Sequence, residues 1–335
     1  MSKARLRVVF FGNGYDYSLA FLRALASSGA ELVGVVVPVG TPERREWPHS
    51  ARAARAKRSP QEPLDPDLKY AWWVGRLCEQ RGARDLWPQK LRSPGCVEQI
   101  AGWGADLVVM AGFNEILRAE ALGKLPPVLN VHPSLLPLYR GPHPEFWTVA
   151  SGAREAGVTI HLVDAGVDTG PVVASQRFEV EPWLTGGELQ QRAMSEGSVL
   201  LTELLDDGFD PRTSPRWVQE GAGSYQGLVT DEDLVVPFEG PCQRAYDLSR
   251  AAAPWMSLTL YVPSRWWSLP VGPRSTAAAA RKHAPGTVGI SLSEAQAYPD
   301  HHLGPPGTVR RSEGGALAVA CADGVVVFRR TVAFT

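Results

Sequence analysis

Three polar residues have the types and the spacing that acyl-transfer chemistry needs. Asn130 and His132 lie two positions apart in the apolar run 129–132, and side chains two apart leave the same face of a strand. An amide donor beside an imidazole can stabilise an oxyanion, and each such donor is typically worth about 10² to 10³ in rate. Asp168, in a glycine-punctuated loop, is a candidate to orient the histidine. On spacing alone, a strand-end amide, a core histidine and a turn-forming aspartate explain the three equally well.

The surrounding pattern predicts the elements that would position these residues. Short apolar runs alternate with helical patterns, which is typical of an α/β domain built on a parallel or mixed, Rossmann-like sheet. Open sheets of this class place their sites at the carboxyl ends of the strands, and Pro133 ends the strand that carries Asn130 and His132. The predicted strands are 6–11, 31–38, 105–110, 129–132, 158–163 and 171–178, and the predicted helices are 18–27, 70–80, 96–103 and 187–205.

A change in the sequence pattern divides the chain into two parts. Residues 206–224 contain Gly, Pro, Asp, Arg and Ser without periodicity, which predicts a linker between a domain at 1–205 and a C-terminal domain at 225–335. In the C-terminal part, Asp323-Gly324 stands between two alternating apolar runs, a strong hairpin signal. We therefore expect a small, OB-like β-barrel there, preceded by a helix at 240–253.

Composition narrows the function classes. The chain has 34 lysines and arginines against 35 aspartates and glutamates, a net charge of -1, so it carries no overall electrostatic footprint for nucleic acid. Its four cysteines are scattered without metal-ligand spacing, which favours reduced thiols and no metal. Neither a signal peptide nor an apolar run of about twenty residues is present, so we expect a cytoplasmic protein without a membrane partner.

Two motifs identify a family. The sequence Asn-Val-His-Pro-Ser-Leu-Leu-Pro at 130–137 and the sequence Asp-Ala-Gly-Val-Asp-Thr-Gly at 164–170 resemble the Asn-x-His-x-Ser-Leu-Leu-Pro and Asp-x-Gly-x-Asp-x-Gly motifs of the folate-dependent formyltransferases. The resemblance extends in weaker form over about 6–205. It implies that an amine attacks the formyl carbon of 10-formyltetrahydrofolate, that Asn130 and a protonated His132 stabilise the oxyanion, and that Asp168 pairs with His132 and relays a proton.

The same resemblance implies where the ligands bind. The pterin ring of the folate would enter a cleft between residues 113–117 and the loop 163–168. His161 on the neighbouring strand is interpreted as a packing residue rather than a catalytic one. Backbone amides at the start of the first helix could bind an anion on the acceptor, although an ordinary strand-to-helix turn is the alternative. The implied folate-binding residues are Gly112, Phe113, Asn114, Glu115, Leu117, Val163 and Asp164, and the implied substrate-binding residues are Gly12, Asn13, Gly14, Tyr139, Arg140 and His143.

The sequence leaves open which amine accepts the formyl group. The C-terminal domain and an arginine-rich loop at 44–58 are similar in placement to parts of methionyl-tRNA formyltransferases, so tRNA is a possible partner. Pro133, where that subfamily usually has glycine, and the stretch 139–147 instead favour a primary amine of a small molecule, an amino sugar or a carrier-bound aminoacyl group. A hydrolase that uses water, a non-catalytic folate-binding protein and an interaction module in the C-terminal part are further alternatives.

Overall fold

A computed structural model gives the structure of the chain, and it separates into two compact units. The predicted boundaries at 205 and 225 stay predictions. The structure describes residues 5–13, 15–38, 66–263, 287–312 and 315–334. The first unit comprises Met1–Arg140, Gly157–Arg177 and Gln191–Ser224, and the second unit comprises Gly141–Ala156, Phe178–Gln190 and Tyr225–Thr335.

A seven-stranded sheet organises the first unit. The strands are β1 (Arg7–Phe11), β2 (Glu31–Val36), β3 (Arg84–Leu86), β4 (Leu107–Ala111), β5 (Val128–His132), β6 (Glu155–Leu162) and β7 (Val172–Glu179). They lie in the order β3-β2-β1-β4-β5-β6-β7, with parallel pairing from β3 through to β5 and antiparallel pairing of β5 with β6. The predicted α/β class with a parallel-rich, mixed sheet is therefore confirmed. The short strand β3 was not predicted, because three residues carry too little periodicity.

Helices accompany this sheet. Helix α1 begins with Asp16 in its first turn and buries Phe21, Leu22 and Leu25, as the apolar spacing of its sequence predicts. The central strands are so apolar because both of their faces are covered, and Phe10, Phe11 and Leu129 are completely buried. The described residues of both units form helices α1 (Asp16–Ser27), α2 (Pro66–Arg81), α3 (Cys96–Ala101), α4 (Ala119–Leu122), α5 (Pro144–Ala150), α6 (Gly186–Asp206) and α7 (Cys242–Ala252). Helices α5 and α7 belong to the second unit.

The order of the strands reverses beside β1. The chain runs outward from β1 to β2 and β3, and then returns to place β4 on the other side of β1. In open α/β sheets, ligands bind outside the carboxyl ends of the strands at such a switch point. The carboxyl ends of β1, β4 and β5 are therefore the edge where a site is expected.

A second, antiparallel sheet lies in the second unit. Its strands are β8 (Leu258–Pro263), β9 (Thr287–Pro299), β10 (Val309–Arg311), β11 (Leu317–Ala320) and β12 (Gly324–Phe334), in the order β10-β11-β12-β9-β8. The predicted hairpin is confirmed by the pairing of β11 with β12. Helix α7 contacts β9 and α5, and Asp323 in the hairpin turn accepts a hydrogen bond from the backbone N–H of Cys242 at 2.7 Å. The OB-like barrel stays a prediction.

Every helix among the described residues is too short or too polar to cross a lipid bilayer.

Candidate active site

The register of β5 against β6 brings two polar side chains together. Asn130 lies directly opposite His161 in this antiparallel pair, so both side chains leave the same face of the sheet. Asn130 Nδ2 donates to His161 Nε2 at 3.2 Å, while His161 Nδ1 donates to the carbonyl oxygen of Leu162 at 2.9 Å. His161 is buried, as a packing residue would be, but its ring also contacts the candidate catalytic asparagine.

Asp168 completes a cluster with these residues. Its Oδ1 atom accepts a hydrogen bond from Asn130 Nδ2 at 3.3 Å and lies 3.5 Å from His161 Nε2. Its Oδ2 atom lies 3.7 Å from His132 Nδ1. The structure thus brings the three predicted catalytic residues into one cluster and adds His161 as a fourth member.

The loop that carries Asp168 is tightly turned. Asp164 Oδ1 accepts hydrogen bonds from the backbone N–H of Gly166 at 3.0 Å and from the hydroxyl of Thr169 at 2.7 Å. A Cβ atom on Gly170 would overlap the carbonyl oxygen of Leu162. Asp168 itself has a φ of 53°, a left-handed conformation that costs a non-glycine residue roughly 1 kcal/mol or more. Asp164, predicted to bind folate, therefore shapes the loop from within.

Burial and two neighbouring acceptors act in opposite directions on the pKa of His132. Its Nε2 donates to the carbonyl oxygen of Tyr139 at 3.0 Å. Burial lowers the pKa of His132, while the Asp168 carboxylate and the Tyr139 carbonyl act against this effect and His161 adds to it. Burial therefore favours the uncharged ring, whereas the acceptors that face its two nitrogens, the Tyr139 carbonyl and the Asp168 carboxylate, favour the imidazolium. The protonated His132 that the family resemblance implies stays a prediction.

A cavity of about 810 Å³ lies at the switch point of the sheet. Its walls come from the loops after β1 and β4 and from residues 89–98. Among its lining residues are Gly12, Asn13, Asn114, Glu115 and Leu117, all of them predicted ligand-binding residues. The trio, which lies within the described part of the chain, does not line this cavity: Asn130 and His132 lie within β5, and Asp168 lies in the loop between β6 and β7.

Two of the lining residues also hold the cavity wall together. Both carboxylate oxygens of Glu115 accept the backbone N–H of Leu91, at 3.1 and 3.2 Å. Asn13 Oδ1 accepts the backbone N–H of Tyr15 at 3.0 Å and lies 2.9 Å from the hydroxyl of Ser18. These two side chains therefore shape the site through the backbone segments that they fix.

Other predicted folate-binding residues are partly buried and pack against the core or against helix α1. The Phe113 ring centroid is 5.3 Å from that of Phe11, and Val163 packs against the same core cluster. Gly112 has a φ of 64°, and a Cβ atom there would lie 2.9 Å from the Ser18 hydroxyl, so glycine is needed for the close approach of α1. Gly14 lies outside the described residues.

The predicted acceptor residues fall in both units. Tyr139, with a φ of 55°, donates its backbone N–H to Ser224 Oγ at 2.8 Å. Arg140 donates from Nε and Nη2 to Gln219 Oε1, at 3.1 and 2.7 Å. His143, with a φ of 55°, precedes α5 and belongs to the second unit. The sequence does not single out Gln219 because nothing local distinguishes it, and it does not display the β5 to β6 register that places His161 against Asn130.

Comparison with known proteins gives consistent matches. The family model described as formyl transferase matches residues 6–205. The methionyl-tRNA formyltransferase of Roseiflexus castenholzii is 31% identical over 325 residues, which cover 96% of this chain and 90% of that protein. The N-formyltransferase of Helicobacter canadensis, solved with folinic acid and dTDP-3-aminofucose, has a TM-score of 0.60 at 15% identity and covers 98% of this chain and 100% of its own. HypX of Aquifex aeolicus, solved with tetrahydrofolic acid, has a TM-score of 0.55 at 15% identity and covers 98% of this chain and 44% of its own.

Proposed function

Because the chain belongs to the formyl transferase family, we propose that this formyltransferase moves a formyl group from 10-formyltetrahydrofolate to a primary amine, with Asn130, His132 and Asp168 as its catalytic residues. The observation that carries the proposal is the cluster of amide, imidazole and carboxylate with separations of 3.3 to 3.7 Å. Such a cluster contains an oxyanion donor, a proton acceptor and a counter-charge, the groups that formyl transfer requires.

We place the pterin end of the folate donor in the cavity at the switch point, from which its formyl group would extend towards Asn130, His132 and Asp168. The cavity has a volume of about 810 Å³, which is within the usual range for ligand sites. Its walls combine apolar Leu117 and Val97 with the polar side chain of Asn114, which matches a pterin ring with an apolar body and polar edges. Related folds bind folinic acid or tetrahydrofolic acid, which supports the assignment. When bound, 10-formyltetrahydrofolate supplies an electrophilic formyl carbon.

The chain's own residues then have distinct roles in the reaction. As the amine forms a bond to the formyl carbon, Asn130 Nδ2 would exchange its 3.3 Å hydrogen bond to Asp168 for one to the oxygen on which negative charge develops. Neutral His132 would accept the proton that the amine loses, and Asp168 would stabilise the resulting imidazolium. The same proton would return to the leaving nitrogen as the old C–N bond breaks, so protons balance over the cycle. General acid-base transfer of this kind contributes about 10² to 10⁴ in rate.

For the acceptor we favour a primary amine of a small molecule, an amino sugar or a carrier-bound aminoacyl group. Pro133 directly after the histidine and the Tyr139–Trp147 stretch, which differ from the tRNA subfamily, support this choice. A solved relative in fold was crystallised with an amino sugar nucleotide. Methionyl-tRNA is the second candidate, supported by the similarity of 31% over nearly the whole chain to a methionyl-tRNA formyltransferase.

The test is a transfer assay with labelled 10-formyltetrahydrofolate against amino sugars, small amines and methionyl-tRNA. We expect amine-dependent transfer, and a loss of about 10² or more in turnover for His132→Ala. His302→Ala is the matched control, because His302 is an exposed histidine of the second unit. Near-normal turnover of His132→Ala would contradict the mechanism, formate release without any amine would indicate a hydrolase, and preferred transfer to methionyl-tRNA would establish the second candidate.

A further inference from the structure

We propose that Gln219 is a positioning residue of the formyl-transfer site, which holds the Asp168 loop and the Tyr139–Arg140 turn in place on the two sides of His132. The inference rests on the proposed function, because it assigns Gln219 to the same catalytic cluster. Gln219 lies in the segment that the sequence predicts to be a linker.

The side chain of Gln219 is bonded at both ends. Its Nε2 donates to the carbonyl oxygens of Asp168 and Gly170, each at 2.8 Å. Its Oε1 accepts from the guanidinium of Arg140 at 2.7 and 3.1 Å. One carboxamide therefore uses both of its hydrogens and its oxygen to join two loops that are far apart in sequence.

Residues 217–224, the segment around Gln219, form what we call the strap. Both ends of the strap are hydrogen-bonded to other parts of the first unit. At its start, Trp217 exchanges two backbone hydrogen bonds with Val172, at 2.9 and 3.0 Å. At its end, the Ser224 carbonyl accepts the N–H of Arg140 at 2.9 Å, and the Ser224 N–H donates to Pro137 at 3.0 Å. Gln219 is half-buried although its neighbours Val218 and Glu220 are exposed.

The strap contacts two residues whose backbone is in the left-handed region. Tyr139 and Asp168 have φ values of 55° and 53°, which side-chain-bearing residues adopt only where the surroundings impose them. The Tyr139 carbonyl accepts His132 Nε2, and the Asp168 carboxylate faces His132 Nδ1. Both partners of the imidazole are thus residues with an unfavourable backbone conformation. Gln219 bonds to the Asp168 turn, and Ser224 of the strap bonds to the Tyr139 turn.

Two substitutions separate the two ends of the carboxamide. Gln219→Glu keeps an acceptor for Arg140 but cannot donate to Asp168 and Gly170, whereas Gln219→Leu loses both ends. We expect both variants to lower kcat by about ten- to a hundredfold, the scale of a misplaced catalytic group, with KM for 10-formyltetrahydrofolate changed by less than about twofold. Gln176→Leu, at an exposed glutamine of β7, should match the wild type.

A second measurement does not depend on turnover. In ¹⁵N-labelled protein, the imidazole resonances of His132, assigned by their loss in His132→Gln, report its pKa. Displacement of the Asp168 loop in Gln219→Leu moves away the carboxylate that raises this pKa. We therefore expect the pKa of His132 in Gln219→Leu to be lower than in the wild type.

The outcomes separate this inference from the proposed function. Wild-type kcat in both Gln219 variants, recovery of wild-type kcat in Gln219→Glu, or an unchanged His132 pKa in Gln219→Leu would overturn the positioning role. A wild-type protein that transfers no formyl group to any amine would overturn the proposed function, while the His132 pKa would still test the strap.

Discussion

Two largely buried carboxylates, one in each unit, are held in contrasting ways. In the second unit, Asp247 Oδ1 accepts Arg250 Nε at 2.9 Å and Gln243 Nε2 at 2.9 Å, and Arg250 also donates to the carbonyl of Leu184 at 2.7 Å. In the first unit, the separations of Asp168 from the side chains of Asn130, His132 and His161 span 3.3 to 3.7 Å. One aspartate faces a permanent cation at short range, and the other faces two imidazoles at longer range.

The different partners of Asp247 and Asp168 indicate that the two carboxylates have different roles. An arginine stays charged at any accessible pH, so the Asp247–Arg250 pair neutralises two buried charges and gives neither a proton to exchange. An imidazole such as that of His132 can exchange a proton, and its separation of 3.7 Å from Asp168 can shorten when the imidazolium forms. We therefore expect Asp247 to act in stability and Asp168 to act in chemistry.

The largest effect should come from Asp168→Asn. The variant keeps the shape of the side chain but removes the charge that would stabilise the His132 imidazolium, so we expect turnover to fall by about 10² to 10⁴. The midpoint of thermal unfolding should remain close to that of the wild type, because the separations that are lost are long. A large drop in that midpoint would show that Asp168, like Asp247, is mainly structural.

The same substitution in the second unit, Asp247→Asn, should reverse this pattern. It leaves the guanidinium of Arg250 buried without its counter-charge, which typically costs about 3 kcal/mol in the free energy of unfolding. Urea denaturation measures this loss. Arg330→Ala is the control, because it breaks an exposed ion pair with Glu294 and should leave the unfolding midpoint unchanged. Equal midpoints for Asp247→Asn and the control would remove the contrast.

The depressed pKa of His132 should appear as a pH dependence of stability. Above its ordinary pKa of about 6.5, the ring is neutral in both the folded and the unfolded chain. As the pH falls through that value, the unfolded chain binds the proton before the folded one does, so the free energy of unfolding decreases until the folded pKa is reached. Urea denaturation at several pH values between about 7.5 and 5 should show a smaller decrease in His132→Gln than in the wild type. His302→Gln should retain the wild-type decrease.

The smallest effect should come from the loop that supports Asp168. Asp164→Ala removes the acceptor of the Gly166 N–H and the Thr169 hydroxyl, bonds typically worth about 1 kcal/mol each in net stability. We expect turnover to decrease by about three- to tenfold, whereas Asp164→Asn, which keeps an acceptor oxygen, should recover most of it. A direct role of Asp164 in folate binding would instead raise KM for the donor in both variants.

Much of the fold could be predicted because it depends on local patterns. Strand β4, helix α6 and the hairpin at Asp323 each follow from periodicity or turn chemistry within a few residues. Strand β9 was missed because its sequence mixes Ser, Glu, Gln and Ala with few large apolar residues. Its identity as a strand depends on pairing with β8 and β12 on its two sides.

The clustering of Asn130, His132 and Asp168 could be predicted, because two positions of one strand share a face and the two motifs resemble those of a known family. The surroundings of the trio could not. His161 meets Asn130 through the β5 to β6 register, the pKa of His132 is lowered by burial, and Gln219 bonds to Asp168 across 51 positions of sequence. Side-chain chemistry is a local property that a sequence displays directly, whereas register, burial and long-range hydrogen bonds exist only once the chain has folded.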